Sequence, residues 1–200
     1  MRNYLLTLTM LVVPVIALGA PKAKKNEIRD SRDRQVYRTV AIGGKTWLGD
    51  NLNYAGEGSF CYKDDEDNCA AYGRLYTWNA ARTACPTGFH LPTHEDFESL
   101  WNAAGGQYDA GYYVKTDYGW SGDANGNDTL KFSAMPAGNR FDDGTYGNLG
   151  KFTFFWTSDD KLDDIGAGKA RTWFLSSKSV DFSYTSKAKD FGFSVRCVKD

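Results

Sequence analysis

Phe191-Gly192-Phe193-Ser194-Val195-Arg196-Cys197-Val198 decides how the rest of the chain is read. Phe191, Phe193, Val195 and Cys197 fall on one side of an extended segment, and Gly192, Ser194 and Arg196 fall on the other. A period of two with one apolar side predicts a half-buried strand. Shorter strand signals precede it at 152–157, 171–176 and 180–184, rich in aromatic and β-branched residues. Between Tyr108 and Gly150 the chain reads as mostly loop, rich in Gly, Asp and Asn.

The N-terminal half carries the helices. Val36-Tyr37-Arg38-Thr39-Val40-Ala41-Ile42, then Gly43-Gly44, then Lys45-Thr46-Trp47-Leu48 predicts a hairpin, because two-residue hairpin turns need positive φ at both central positions. Leu75, Trp78, Ala81 and Ala84 predict a short helix over 76–84, stopped by Pro86. Thr93 with Asp96 three positions on resembles a capping box. Phe97, Leu100, Trp101 and Ala104 make the apolar stripe of a second helix, ended by Gly105-Gly106. Trp47, Trp78 and Trp101 therefore read as core. Two helices early, a long loop region and late strands predict one α+β domain.

Composition agrees. The chain has 200 residues, 42% hydrophobic and 24% charged, with 24 Lys plus Arg against 25 Asp plus Glu. That excludes a disordered or multi-span membrane protein, and a net charge of −1 leaves no nucleic-acid footprint. Asp outnumbers Glu by 20 to 5, a skew toward turns and caps over helix interiors.

Residues 1–19 read as a signal peptide: Arg2, a short apolar run interrupted by Pro14, then small residues at Ala17 and Gly19. The run is short for a membrane span, so the mature chain is expected to have none. Ile16-Ala17-Leu18-Gly19-Ala20 is similar to a bacterial lipoprotein box, but Ala20 stands where the lipidated Cys must be. A secreted, periplasmic or cell-surface protein, not a lipoprotein, is expected. Residues 20–27 read as a flexible linker and 28–200 as the domain.

Four cysteines in an exported chain read as two disulfides with three possible pairings. The pairing favoured is Cys61–Cys69, closing a short acidic loop, with Cys85–Cys197, tying mid-chain to the last strand. A zinc site is disfavoured, since no two cysteines have zinc-finger spacing and only His90 and His94 could join them.

Catalytic signals are sparse. His90, flanked by Phe89 and Leu91, reads as a packed core histidine, and His94 as a solvated residue of a first helical turn. Glu95 and Glu98 share a helix face but read as solvent-facing. No nucleophile elbow, P-loop or dinucleotide motif is present. Two binding signals remain. Asp123, Asn125, Asn127 and Asp128 surround Gly126 and offer oxygens for Ca2+, without the Glu that an EF-hand needs twelfth in its loop. Tyr112, Tyr113, Tyr118, Trp120 and Tyr146 lie in polar, Gly-rich stretches where rings are hard to bury, and predict a stacking surface for a glycan or a protein.

Several segments together resemble one family, the Fibrobacter succinogenes major paralogous domain. They are Val40 to Leu48 running to Asn51-Leu52-Asn53-Tyr54, then Tyr72-Gly73-Arg74-Leu75-Tyr76-Thr77-Trp78, Cys85-Pro86-Thr87-Gly88-Phe89-His90-Leu91-Pro92, Phe132-Ser133-Ala134-Met135-Pro136-Ala137-Gly138, and the closing Phe191 to Val198. Phe89 stands where the family more often has Trp, and Arg34 where Gly is commoner. The resemblance implies a disulfide-stabilised C-type-lectin-like domain, distantly related to formylglycine-generating enzymes, with two short helices, several short antiparallel strands and long loops. It strengthens the expectation of export and leaves function open; the reading taken is an exported, non-catalytic interaction module for a cell-surface or plant cell-wall ligand, glycan or protein, the glycan by analogy alone. An oxidase-like or hydrolytic enzyme and a structural envelope protein are the alternatives.

Overall fold

A computed structural model describes residues 25–161 and 164–200. The proposed signal peptide and most of the linker lie outside the described residues. In chain order the N-terminal half holds β1 (Glu27–Arg29), β2 (Val36–Ile42), β3 (Lys45–Leu48), β4 (Ser59–Phe60), α1 (Glu66–Tyr72), β5 (Leu75–Tyr76), α2 (Trp78–Ala84) and β6 (Phe89–His90). After α3 (His94–Ala103) and α4 (Ala110–Val114) come β7 (Ala137–Arg140), β8 (Tyr146–Leu149), β9 (Phe152–Trp156), β10 (Lys169–Ser176), β11 (Phe182–Ala188), β12 (Phe193–Ser194) and β13 (Val198–Lys199).

Two sheets result. One has the order β1-β2-β3-β13-β6, and the other runs β11-β10-β9-β12-β5-β4, with β7 joined to β9 and β8 to β7. Pairing is antiparallel except where β12 and β7 each meet β9. The β2–β3 hairpin turns through Gly43 and Gly44 at φ of +61° and +76°, both positive as the turn requires. Arg34, standing at a position where Gly is commoner in the resembling family, is at φ +67°.

The helices begin where side chains can cap them. Thr77 accepts from Ala80 N, and the Thr93–Asp96 capping box is complete in both directions. Asp96 is buried and paired with Lys45 Nζ at 2.6 Å. Burial raises its pKa, but Lys45 and the Thr93 bonds outweigh that and hold it below the ordinary value.

Four expectations are corrected. The last segment is two short strands, not one half-buried strand. Ser194 and Arg196 are as buried as Phe193 and Val195, because both faces of the segment meet protein. The stretch 108–150 holds α4, β7 and β8 between its loops. The histidines exchange environments: His90 is part-exposed, with Nδ1 at 2.6 Å from an Asp200 carboxylate oxygen, whereas only 16% of the His94 side chain is exposed. Trp101 is half-buried at the rim of the core that Phe97 and Leu100 enter fully.

Two apolar clusters fill the domain. Trp47, Phe97, Phe132, Phe155, Trp173 and Phe182 build one, and Tyr76, Trp78, Trp156, Phe193 and Val195 build the other. Two of the large rings are tied at their polar ends, Trp78 Nε1 donating to Thr157 O and Trp156 Nε1 to Tyr76 O, whereas the buried Trp47 Nε1 has no partner among the described residues. Both disulfides have the favoured pairing, Cys61–Cys69 and Cys85–Cys197, and no cysteine is free. Among the described residues no helix is long and apolar enough to cross a membrane.

Candidate functional site

Arg196 lies beneath the lining of a polar groove and bonds two of the residues that line it, Asn51 and Ser133. It is fully buried, and no carboxylate among the described residues is bonded to it. Its fork donates to Asn51 Oδ1 from Nη2 (2.8 Å) and Nε (3.2 Å), to Leu48 O and Ser133 O, and to Phe132 O. The Phe132 ring centroid lies 4.3 Å from the guanidinium carbon. Burial pushes its pKa down to about 9, so the group still carries its charge at neutral pH. Asn51 passes the network outward through Nδ2 to Tyr72 O at 2.8 Å.

The groove, of about 520 Å3, lies between the β2–β3 hairpin, the end of α1 and the loop before β7. Arg38 and Asp50 form its charged wall, with Nε and Nη2 of Arg38 both donating to Asp50 Oδ1. Asp128 and Ser133 face them, joined twice: Ser133 N and Ser133 Oγ each donate to the Asp128 carboxylate at 2.7 Å. Tyr118, 57% exposed, stands on the rim. The groove thus joins one expected stacking residue, Tyr118, to one expected metal ligand, Asp128.

The other stacking candidates are dispersed. Tyr112 and Tyr113 share α4 with ring centroids 5.7 Å apart, and Tyr112 is exposed. Trp120 is buried in the first core, with Nε1 donating to Ala134 O and Lys115 Nζ 4.7 Å from its ring. It is corrected to a core residue, because the Gly-rich loop folds back over it. Tyr146 lies on β8, against Tyr62, and its hydroxyl donates to Asp64 Oδ1 at 2.6 Å. Burial first, then that bond, pushes the Tyr146 pKa up to about 12.

Most of the calcium candidates staple their own loop. Asn125 Oδ1 accepts from Trp120 N, Asn127 Oδ1 from Thr129 N, and Asp128 from Ser133, while Asp123 sits at φ +58°. The Asn127 bond, two residues on, is of the Asx type, and the other two close five-residue spans of the same loop. Among the described residues one trio of Cys, His or acidic groups comes close enough to share a metal, Cys61, Glu66 and Cys69, and two of its atoms are bonded to each other.

Neither histidine bonds a serine hydroxyl among the described residues. His90 meets Asp200 and His94 accepts from Trp173 Nε1. Glu95 and Glu98 are both exposed on α3, as expected. The chemistry on offer in the groove is hydrogen bonding and ring contact to a polar ligand. The residues missed from sequence are Arg38, Asp50, Asn51 and Tyr72, which converge only through folding. Asn51 was visible within the Asn51-Leu52-Asn53-Tyr54 motif.

Against known families, residues 40–199 match the Fibrobacter succinogenes major domain. No curated protein and no solved structure matches the chain.

Proposed function

The chain belongs to the Fibrobacter succinogenes major domain family, and from that premise we propose that it is an exported, non-catalytic interaction module of C-type-lectin-like fold, which binds a cell-surface or plant cell-wall ligand, glycan or protein. The observation that carries this reading is the groove under Tyr118. It offers an exposed ring beside the Arg38–Asp50 pair and Asp128, with Arg196 bonded to Asn51 and Ser133 beneath its lining. Thiol chemistry of the oxidase kind needs sulfurs that are free to react, and both pairs are closed. Export suits a chain that depends on two disulfides. The lectin-like assignment rests on short helices, curled sheets, long loops and a last strand tied back to mid-chain, together with the family resemblance.

The test is binding of the natively purified protein to immobilised polysaccharides and purified surface proteins, with and without calcium because of the 123–128 loop. Capture by at least one of them is expected, weakened about tenfold or more by Tyr118→Ala, the scale of a hot-spot ring, without a fall in Tm. Turnover of any substrate that His90→Ala abolishes would overturn the reading in favour of an enzyme.

A further inference from the structure

A second cleft, apart from the groove, opens between the C-terminal half of α3 and the edge strand β11. It has a volume of about 370 Å3, within the range of small-ligand sites. α3 supplies Glu98 and Trp101, and Gln107 follows from the turn after it. β11 and its approach supply Asp181, Ser183 and Tyr184. Trp173 and Phe182 form an apolar floor, both almost fully buried. We propose that this cleft is a binding site for a neutral pyranose, stacked on Trp101 and Tyr184 and hydrogen-bonded through Glu98, Asp181 and Gln107. This rests on the reading of the domain as a binding module.

Three of the lining residues, Glu98, Trp173 and Tyr184, meet one side chain, His94. His94, Glu98 and Trp101 are spaced i, i+4 and i+7, which puts them on one helix face beside the buried Phe97–Leu100 stripe. Trp173 Nε1 donates to His94 Nδ1 at 3.0 Å. That leaves the imidazole proton on Nε2, which faces Glu98 Oε1 at 3.5 Å. The same ring meets Tyr184 edge-on, with centroids 4.6 Å apart. Trp173 and Tyr184 are direct partners across β10 and β11, with their rings 5.3 Å apart. A single part-buried imidazole therefore touches a stacking ring, a carboxylate and the floor.

The lining selects the ligand class. Half-exposed rings offer π faces to the C–H face of a sugar, and Tyr184 is 50% exposed. Carboxylates accept charge-assisted bonds from sugar hydroxyls, while Gln107 both donates and accepts. Two carboxylates repel an anionic sugar. A quaternary ammonium would find rings and negative charge but would leave the Gln107 donors unused, and Arg171 already stands 4.8 Å from the Tyr184 ring.

The experiment follows the Trp101 indole 15N–1H resonance and the Tyr118 resonances of the native protein. The titrants are methyl glucoside, methyl galactoside, methyl mannoside and methyl xyloside, with galacturonate and tetramethylammonium as charged controls. At least one neutral glycoside is expected to shift Trp101 saturably at tens of millimolar. Tyr184→Ser and Glu98→Gln, both at exposed side chains, are each expected to weaken it by about tenfold, the loss of one stacking or charge-assisted contact. No saturable shift at Trp101, or tetramethylammonium or galacturonate binding more tightly there, overturns the pyranose assignment. Shifts at Tyr118 with Trp101 silent would overturn the cleft while sparing the binding-module reading. Silence at both, with no capture in the polysaccharide and surface-protein screen, would retire both.

Discussion

Arg196 holds a charge at zero solvent exposure with carbonyl and amide oxygens around it. Truncating such a group strands its acceptors, and breaking a buried charge network costs about 3–5 kcal/mol. Arg196→Ala is therefore expected to lower unfolding stability by at least about 3 kcal/mol in chemical denaturation. Arg196→Lys is expected to recover only part of it, since one ammonium cannot serve four oxygens along a planar fork. A loss below about 1 kcal/mol for Arg196→Ala would contradict the assigned network. Lys115 is the second buried cation, bonded to Ser176 O at 2.7 Å and Ser179 O at 2.8 Å. Burial lowers its pKa from 10.5 to about 8. Between those values the unfolded chain binds a proton that the folded chain has released, so stability rises with pH. Tyr37 runs the other way: burial raises its pKa from 10.0 to about 12, so its contribution falls above pH 10. The Lys115 contribution alone is expected to grow by about 2 kcal/mol from pH 8 to 10, read as the difference between the pH–stability curves of the native protein and Lys115→Met. Curves that run parallel over that range would refute the assignment.

At the scale of elements, Gly43 and Gly44 separate two effects that a hairpin turn combines. A Cβ at Gly43 would lie 2.5 Å from Ser99 O on α3, whereas one at Gly44 would meet nothing within 4 Å. Both sit at positive φ, which alone costs an L-residue about 1–2 kcal/mol. Gly44→Ala should lose only that, and Gly43→Ala at least about 1 kcal/mol more, because backbone on two elements must move. Thermal unfolding of the two variants checks this, and equal losses would mean that the hairpin does not pack on α3 as described. The same turn, and the Thr93 capping box, were readable in advance because their chemistry is local. α1 was not, since Glu66-Asp67-Asn68-Cys69-Ala70-Ala71-Tyr72 has no apolar stripe and is held by a cap at Asp65 and a disulfide at Cys69. The 191–198 segment had its two faces correctly sorted, but the burial of the polar face depended on Asn51, Leu48 and Phe132, more than sixty residues away. His94 was misplaced for the same reason: its Trp173 and Tyr184 neighbours arrive from the far half of the chain. The spacing of His94, Glu98 and Trp101 was a usable signal for the cleft, overshadowed by the stronger stripe beside it.

At the scale of the molecule, two sheets and two cores are tied by sulfur. Cys85–Cys197 spans 112 residues and joins the end of α2 to the residue before β13, while Cys61–Cys69 spans 8. Loop-closure entropy makes the first worth about 5 kcal/mol and the second about half of that. Loss of the long bridge should therefore unfold the groove with the domain, and loss of the short one should leave both standing. Of the tyrosines and the acidic loop singled out as binding candidates, only Tyr118 and Asp128 share a groove, because the path of the 108–150 stretch is set by tertiary contacts and not by local pattern. The claim on which the account depends is that every sulfur is structural in a protein made for an oxidising compartment. Alkylation of the natively isolated, denatured but unreduced protein, followed by peptide mass mapping, tests it most directly. The account predicts no alkylated cysteine and cross-linked peptides joining 61 to 69 and 85 to 197; an alkylated Cys85 or Cys197 would contradict it.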